Sequence, residues 1–139
     1  MDDRLLFLLS RAEFSLKKYL KGKFREKNIS ITPGQMGILF LLKSRDAISM
    51  TELGTALYID NSTITRLVDR LESKGLVKRL MNPEDRRQYL LSITEKGTET
   101  INSAKNIVQS TNDLIKKDFS KEEIDAFKRI LESFSVKFQ

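Results

Sequence analysis

The chain has 139 residues, enough for one ordinary domain with a working core, and 40% of them are hydrophobic against 32% charged. Cysteine and histidine are both absent, which removes disulfides, thiol chemistry, the zinc-finger ligand sets and the commonest general base. The formal net charge of +6 suits a polyanion or an anionic membrane surface, and only the placement of the charge can separate the two.

Asp2 and Asp3 precede the apolar block 5–9, so the basic opening of a signal peptide is missing, and Ser10 and Arg11 interrupt the block. A cytoplasmic protein is expected. The longest apolar run elsewhere, residues 38–42, is far short of a bilayer span. Residues 3 to about 27 predict one long helix with Leu5, Leu9, Ala12, Leu16, Tyr19, Leu20 and Phe24 along one side. Phe7 and Phe14 fall off that stripe. A helix apolar on more than one side needs more than one neighbour, and in a short chain a second copy can supply it.

Thr32-Pro33-Gly34-Gln35 opens the next helix with a capping residue, a proline in the first turn and Gln in the box position, while Ile31 and Met36 form a hydrophobic staple. Its body, residues 36–42, is apolar nearly all round and predicts a central core helix.

Residues 49–93 then predict a helix, a turn, a second helix and a two-stranded hairpin. Ser49 and Glu52 have capping-box spacing, Ile48 and Leu53 staple spacing, and Leu53, Ala56 and Leu57 follow at helical steps. Tyr58-Ile59-Asp60-Asn61 breaks the pattern, with Asp60 or Asn61 available to cap the second helix. In that helix Ile64, Leu67, Val68 and Leu71 make a buried stripe. Asn61, Ser62, Thr63, Thr65, Arg66, Asp69 and Arg70 lie off it. Arg can grip the two acceptors of guanine, hydroxyls can bond bases or phosphates, and Thr offers a methyl to thymine, so this face suits the edges of base pairs in a major groove. Taken alone, any one of these arginines would be an ordinary solvated charge.

Lys74-Gly75 ends the helix, since Gly permits the left-handed C-terminal conformation. Residues 76–81 and 88–93 have strand composition, and Asn82-Pro83-Glu84-Asp85-Arg86-Arg87 between them is turn material. Arg86 or Arg87 at such a tip can lie in a minor groove, with Asp85 either orienting one of them or merely shaping the turn. Thr94 can cap a long helix to about residue 117, with Ile101, Ala104, Val108, Thr111 and Ile115 near one face. Ser120 and Glu123 make another box before a last helix striped by Ile124, Phe127, Leu131, Phe134 and Phe138. Burying each Phe is worth about 1.5–3 kcal/mol, so these rings call for a partner surface.

The charge follows the same division. Residues 62–87 hold seven basic and four acidic side chains and residues 1–28 eight and four, whereas residues 95–139 balance at eight each. The excess sits on the proposed reading module and the first helix, as a polyanion partner requires. Glycines occur in neither a P-loop nor a dinucleotide pattern, no catalytic constellation stands out, and the Glu122-Glu123 pair is explained by a helix N-terminus. Neither an enzyme nor a cofactor or metal site is expected.

The run Ser62-Thr63-Ile64-Thr65-Arg66-Leu67-Val68-Asp69-Arg70-Leu71-Glu72-Ser73-Lys74-Gly75-Leu76-Val77, followed by Asp85-Arg86-Arg87 and Leu91-Ser92-Ile93-Thr94-Glu95-Lys96-Gly97, resembles the MarR family of bacterial and archaeal transcription regulators. The likeness extends upstream to Ile31-Thr32-Pro33-Gly34-Gln35 and covers nearly the whole chain. It implies a mainly α fold with a small β-hairpin wing: a winged helix-turn-helix over 32–93, flanked by dimerisation helices at 1–28 and 95–139 of one domain. The implied function is a homodimeric, sequence-specific DNA-binding regulator, a repressor released by a small, anionic aromatic effector. Phe14, Tyr19 and Arg11 are residues that could line an effector crevice, but the sequence assigns no pocket. Absence of Cys excludes the cysteine-based peroxide-sensing version of the family, and absence of His disfavours a zinc-sensing one. The alternative is a winged-helix module for protein association that does not read DNA.

Overall fold

The computed structural model describes residues 4–139. Asp2 and Asp3, the latter the expected first residue of the long helix, lie outside the described residues. The elements follow in the order α1 (Leu5–Glu26), α2 (Pro33–Ser44), β1 (Ile48–Ser49), α3 (Met50–Leu57), α4 (Asn61–Ser73), β2 (Val77–Met81), β3 (Tyr89–Ile93), α5 (Glu95–Lys116) and α6 (Lys121–Lys137). They fall into two compact units, one up to Ile107 and one from Val108 onward.

In the first unit the helix boundaries are written in side-chain hydrogen bonds. Thr32 Oγ1 accepts from the Gln35 N–H at 3.2 Å while Gln35 Oε1 accepts from the Thr32 N–H at 3.0 Å, so both halves of the α2 capping box form. Ser49 caps α3 by accepting from the Glu52 N–H at 3.1 Å. Here the Ser49 hydroxyl donates to the Glu52 carboxylate, so this box closes side chain to side chain. Three helices end alike: Ile29 N–H to Phe24 O, Ile59 N–H to Gly54 O and Leu76 N–H to Leu71 O are each the long bond of a Schellman motif. The left-handed residue in these endings is Asn28, Tyr58 and Gly75 respectively.

The sheet has one strand more than the hairpin predicted from sequence. Its order is β1-β3-β2, all antiparallel, with Ile48 opposite Leu91 and the hairpin in register from Val77 opposite Ile93 to Met81 opposite Tyr89. A two-residue strand has no alternation to read, and Ser49 is both its second residue and the cap of α3. The pairing ties the root of the hairpin to the start of α3.

One core joins these elements. Phe24 of α1, Ile38, Leu39 and Leu42 of α2, Leu53 of α3, Ile64, Val68 and Leu71 of α4, Leu91 of β3 and Ile101 of α5 are all essentially inaccessible. The predicted α4 stripe is therefore inward, with Leu67 partly buried beside it. Replacing Leu39, wholly buried in the central helix, by Ala is expected to destabilise the fold by about 2–5 kcal/mol, read as a lower urea midpoint at unchanged m-value.

α5 enters this core with Ile101, Ala104 and Ile107, where the sequence reading had Val108 in place of Ile107. The α1 stripe is only partly used: Leu20 and Phe24 are buried, whereas Leu5, Leu9 and Leu16 are exposed, as are Leu6, Phe7, Leu8 and Phe14 around them. In the second unit, Ser120 caps α6 by accepting from the Glu123 N–H at 3.1 Å. Phe134 and Phe138 stack edge to face at 5.3 Å, yet no residue of α6 is buried. No helix among the described residues is long and apolar enough to cross a membrane.

Candidate nucleic-acid interface

The turn before α4 decides how its first residues are presented. Asp60 is the cap: its Oδ1 accepts from the Thr63 N–H at 2.7 Å and from the Ser62 hydroxyl at 3.2 Å. Asn61, the other candidate cap, is instead the first helical residue. Hydrogen bonds from Thr63, then from Ser62, and the nearby Arg66 charge hold the Asp60 carboxyl below its ordinary value. Because the folded-state pKa is depressed, the cap's contribution is present above the ordinary carboxylate range and is lost as pH falls through the lowered value. The gap in thermal midpoint between wild type and Asp60→Ala is thus expected to be open at neutral pH and to narrow steadily on acidification below that range. A gap of constant size would show that the carboxylate charge plays no part.

With α4 anchored, Asn61, Ser62, Thr65, Arg66, Asp69 and Arg70 are exposed and Thr63 is half-buried. The Thr65 hydroxyl donates to the Asn61 carbonyl at 2.8 Å, which turns its methyl and oxygen lone pairs into a fixed arrangement. Arg66 and Arg70 make no ion pair among the described residues. Asp69 does: its carboxylate is taken by Arg79 of β2, a residue that the sequence reading did not single out.

The loop of the hairpin is built by two short side chains. Asn82 Oδ1 accepts from the Glu84 N–H and Asp85 Oδ1 from the Arg87 N–H, each at 3.0 Å. Asp85 therefore shapes the turn, and its carboxylate also lies 3.9 Å from Arg87 Nε. Arg86 is exposed, and the Arg87 side chain is 96% exposed. Lys74 and Lys96, by contrast, turn back to cap carbonyls of Ser30 and Lys74.

Phe14 and Tyr19 line an open groove along α1 with Lys18 and Lys23; Arg11 sits over the Phe7 ring instead. A second crevice in the same unit is lined by Lys17, Lys21, Arg25 and Lys74 over Phe24 and Ile29, without an acidic residue. The described residues contain no cluster of metal-ligating side chains.

A helix-turn-helix with a three-stranded wing, its outward face carrying hydroxyls and arginines, defines a winged-helix protein. The MarR family model matches residues 31–89, and the chain belongs to the MarR family of transcriptional regulators. It is 31% identical over 134 residues to the HTH-type transcriptional regulator BilQ of Clostridioides difficile (strain CD3), covering 96% of this chain and 87% of that protein. Among solved structures it is similar to the transcriptional repressor CouR bound to a 23-mer DNA duplex, with TM-score 0.83, 28% identity, and 94% and 92% of the two chains covered. A mutant of MarR from E. coli complexed with operator DNA gives TM-score 0.76 at 26% identity, over 96% and 98%. The named relatives are regulators of transcription, a non-enzymatic role.

Proposed function

We propose that this chain is a homodimeric, sequence-specific DNA-binding repressor acting in the cytoplasm. In this reading residues 32–93 read DNA, and residues 1–28 and 95–139 hold the two copies together. The observation that carries it is the α4 face: a helix that buries Ile64, Val68 and Leu71 in the core presents Asn61, Ser62, Thr65, Arg66 and Arg70 outward with Thr63 half-buried among them, beside a hairpin tipped by Asp85, Arg86 and Arg87. The first turns of α4 meet base edges in a major groove, and Arg86 or Arg87 enters the flanking minor groove. The relatives solved on duplex DNA support DNA as the partner.

The exposed apolar residues of α1 and of the second unit support self-association, and two-fold symmetry then asks for a pseudo-palindromic site with half-sites roughly 34–36 Å apart or a multiple of that. Release by a small anionic aromatic effector completes the reading. The basic crevice over Phe24 and Ile29 has the chemistry for such a ligand, which must bind the state unable to hold DNA more tightly than the state that holds it. Selection from random duplexes with the purified protein, repeated with a panel of phenolic acids, tests the whole. Enrichment of a palindrome that a phenolic acid abolishes is the expected result; binding with no preference over random DNA refutes it.

A further inference from the structure

Alternation along β2 sends Val77, Arg79 and Met81 to one face of the hairpin, and the register sets Ile93, Leu91 and Tyr89 opposite them. Val77 and Leu91 on that face are buried, while Met81 and Tyr89 at its far end are exposed. Arg79 therefore stands where the hairpin leaves the core. Two residues earlier the same face is hydrocarbon, and a cation set beside it needs compensating charge.

That charge comes from α4. Asp69 and Glu72 are three residues apart and so share one side of the helix. Arg79 Nη2 donates to Asp69 Oδ1, and Arg79 Nε lies 3.6 Å from Glu72 Oε2. The Arg79 side chain is 28% exposed against 96% for Arg87 at the tip. Its Nε is buried and makes no hydrogen bond to the described residues, so the charge of Glu72, 3.6 Å away, is what faces it.

We propose that Arg79 is a positioning residue for DNA recognition: gripped by Asp69 and Glu72, it sets the wing against α4 so that helix and wing reach their grooves together. The proposal rests on the DNA-reading role given above to α4 and the wing. Asp69 then acts through Arg79 and not on a base. An Asp can accept from the amino group of cytosine, but here it would have to leave a half-buried cation facing Glu72 alone.

The test uses the full chain as wild type, Arg79→Met, Asp69→Asn and the double variant. One measurement needs no DNA: 15N relaxation of the wing-tip amides, Asn82 and residues 84–88. The other is anisotropy titration on a selected duplex with A·T or G·C flanks. Each single variant is expected to loosen the tip and to weaken binding roughly tenfold, with the double variant no weaker than either single one. Flank preference disappears in all three, and Arg79→Lys, which can still pair with one carboxylate, recovers part of the loss. Should Arg79→Met fail to fold, Asp69→Asn and Arg79→Lys carry the same comparison.

Two results overturn the proposal. In one, Asp69→Asn alters preference at a single base pair while the tip stays rigid. In the other, losses add and Arg79→Met lowers the salt slope by about one with a rigid tip, the mark of a phosphate contact. Failure of the underlying reading is separate: Arg66→Ala and Arg86→Ala would leave wild-type DNA affinity unchanged whatever the tip does.

Discussion

Replacing Gly97 by Ala is expected to destabilise the first unit by about 3 kcal/mol or more, one of the largest single-site effects in the chain. A Cβ at this position would lie 2.1 Å from the Leu76 carbonyl oxygen and 2.8 Å from Ile93 Cγ1. Neither neighbour can step aside cheaply. The Leu76 carbonyl accepts from the Thr94 N–H at 3.1 Å, the Thr94 hydroxyl donates to the Gly75 carbonyl at 2.6 Å, and the same hydroxyl accepts from the Gly97 N–H at 3.0 Å. Moving α5 outward would break that joint between the end of α4, the root of the wing and the start of α5. Against this, Ala is better than Gly in a helix by only about 1 kcal/mol, so the clash wins. Gly37 in α2 is the control: a Cβ there meets nothing within 4 Å, and Gly37→Ala is expected to be neutral or stabilising by up to about 1 kcal/mol. Urea unfolding of the two variants side by side gives the answer, and equal midpoints would refute the packing argument.

Neutralising Arg66, Arg70, Arg86 and Arg87 together should abolish specific DNA binding while leaving the fold intact. Each bidentate contact to guanine is worth about 1–3 kcal/mol of discrimination, and each phosphate neutralised adds about 0.9 to the slope of log affinity against log salt. Losing even two such contacts lowers affinity by roughly thirtyfold or more. All four residues are exposed, so the thermal midpoint should move little, since surface changes away from special features stay within about 0.5 kcal/mol. Arg86 and Arg87 are neighbours and their effects need not add. Affinity and salt slope that both survived the fourfold change would favour the protein-association alternative over a reader of DNA.

Much of the fold was legible because its signals are local. Thr32 with Gln35, Ser49 with Glu52, Ser120 with Glu123, and Gly75 after α4 are caps written within four residues, and the structure uses each of them. The stripe of α4 was equally plain, since Ile64, Val68 and Leu71 recur at the helical step and all three are buried. What escaped was set by distance along the chain. β1 exists because Ile48 meets Leu91, a pairing across more than forty residues. Asp69 lies off the apolar stripe and so joined the outward set, but the helical wheel could not reveal that β2 brings Arg79 beside it. In α1 the period is even along the helix, yet burial begins only near its C-terminal end, because α2 and the α1–α2 turn cover that part alone.

The bare hydrocarbon of α1 and α6 carries a last consequence for how such a regulator responds to its own abundance. Leu5, Leu6 and Phe7 at one end of the chain, and Ile130, Val136 and Phe138 at the other, are more than half exposed in the lone protomer. If a twin molecule covers them, folding and pairing are thermodynamically linked, and melting temperature must rise with dose. Every tenfold dilution then withdraws about 1.4 kcal/mol from the assembled form, so scarcity alone would disarm the protein, without any ligand.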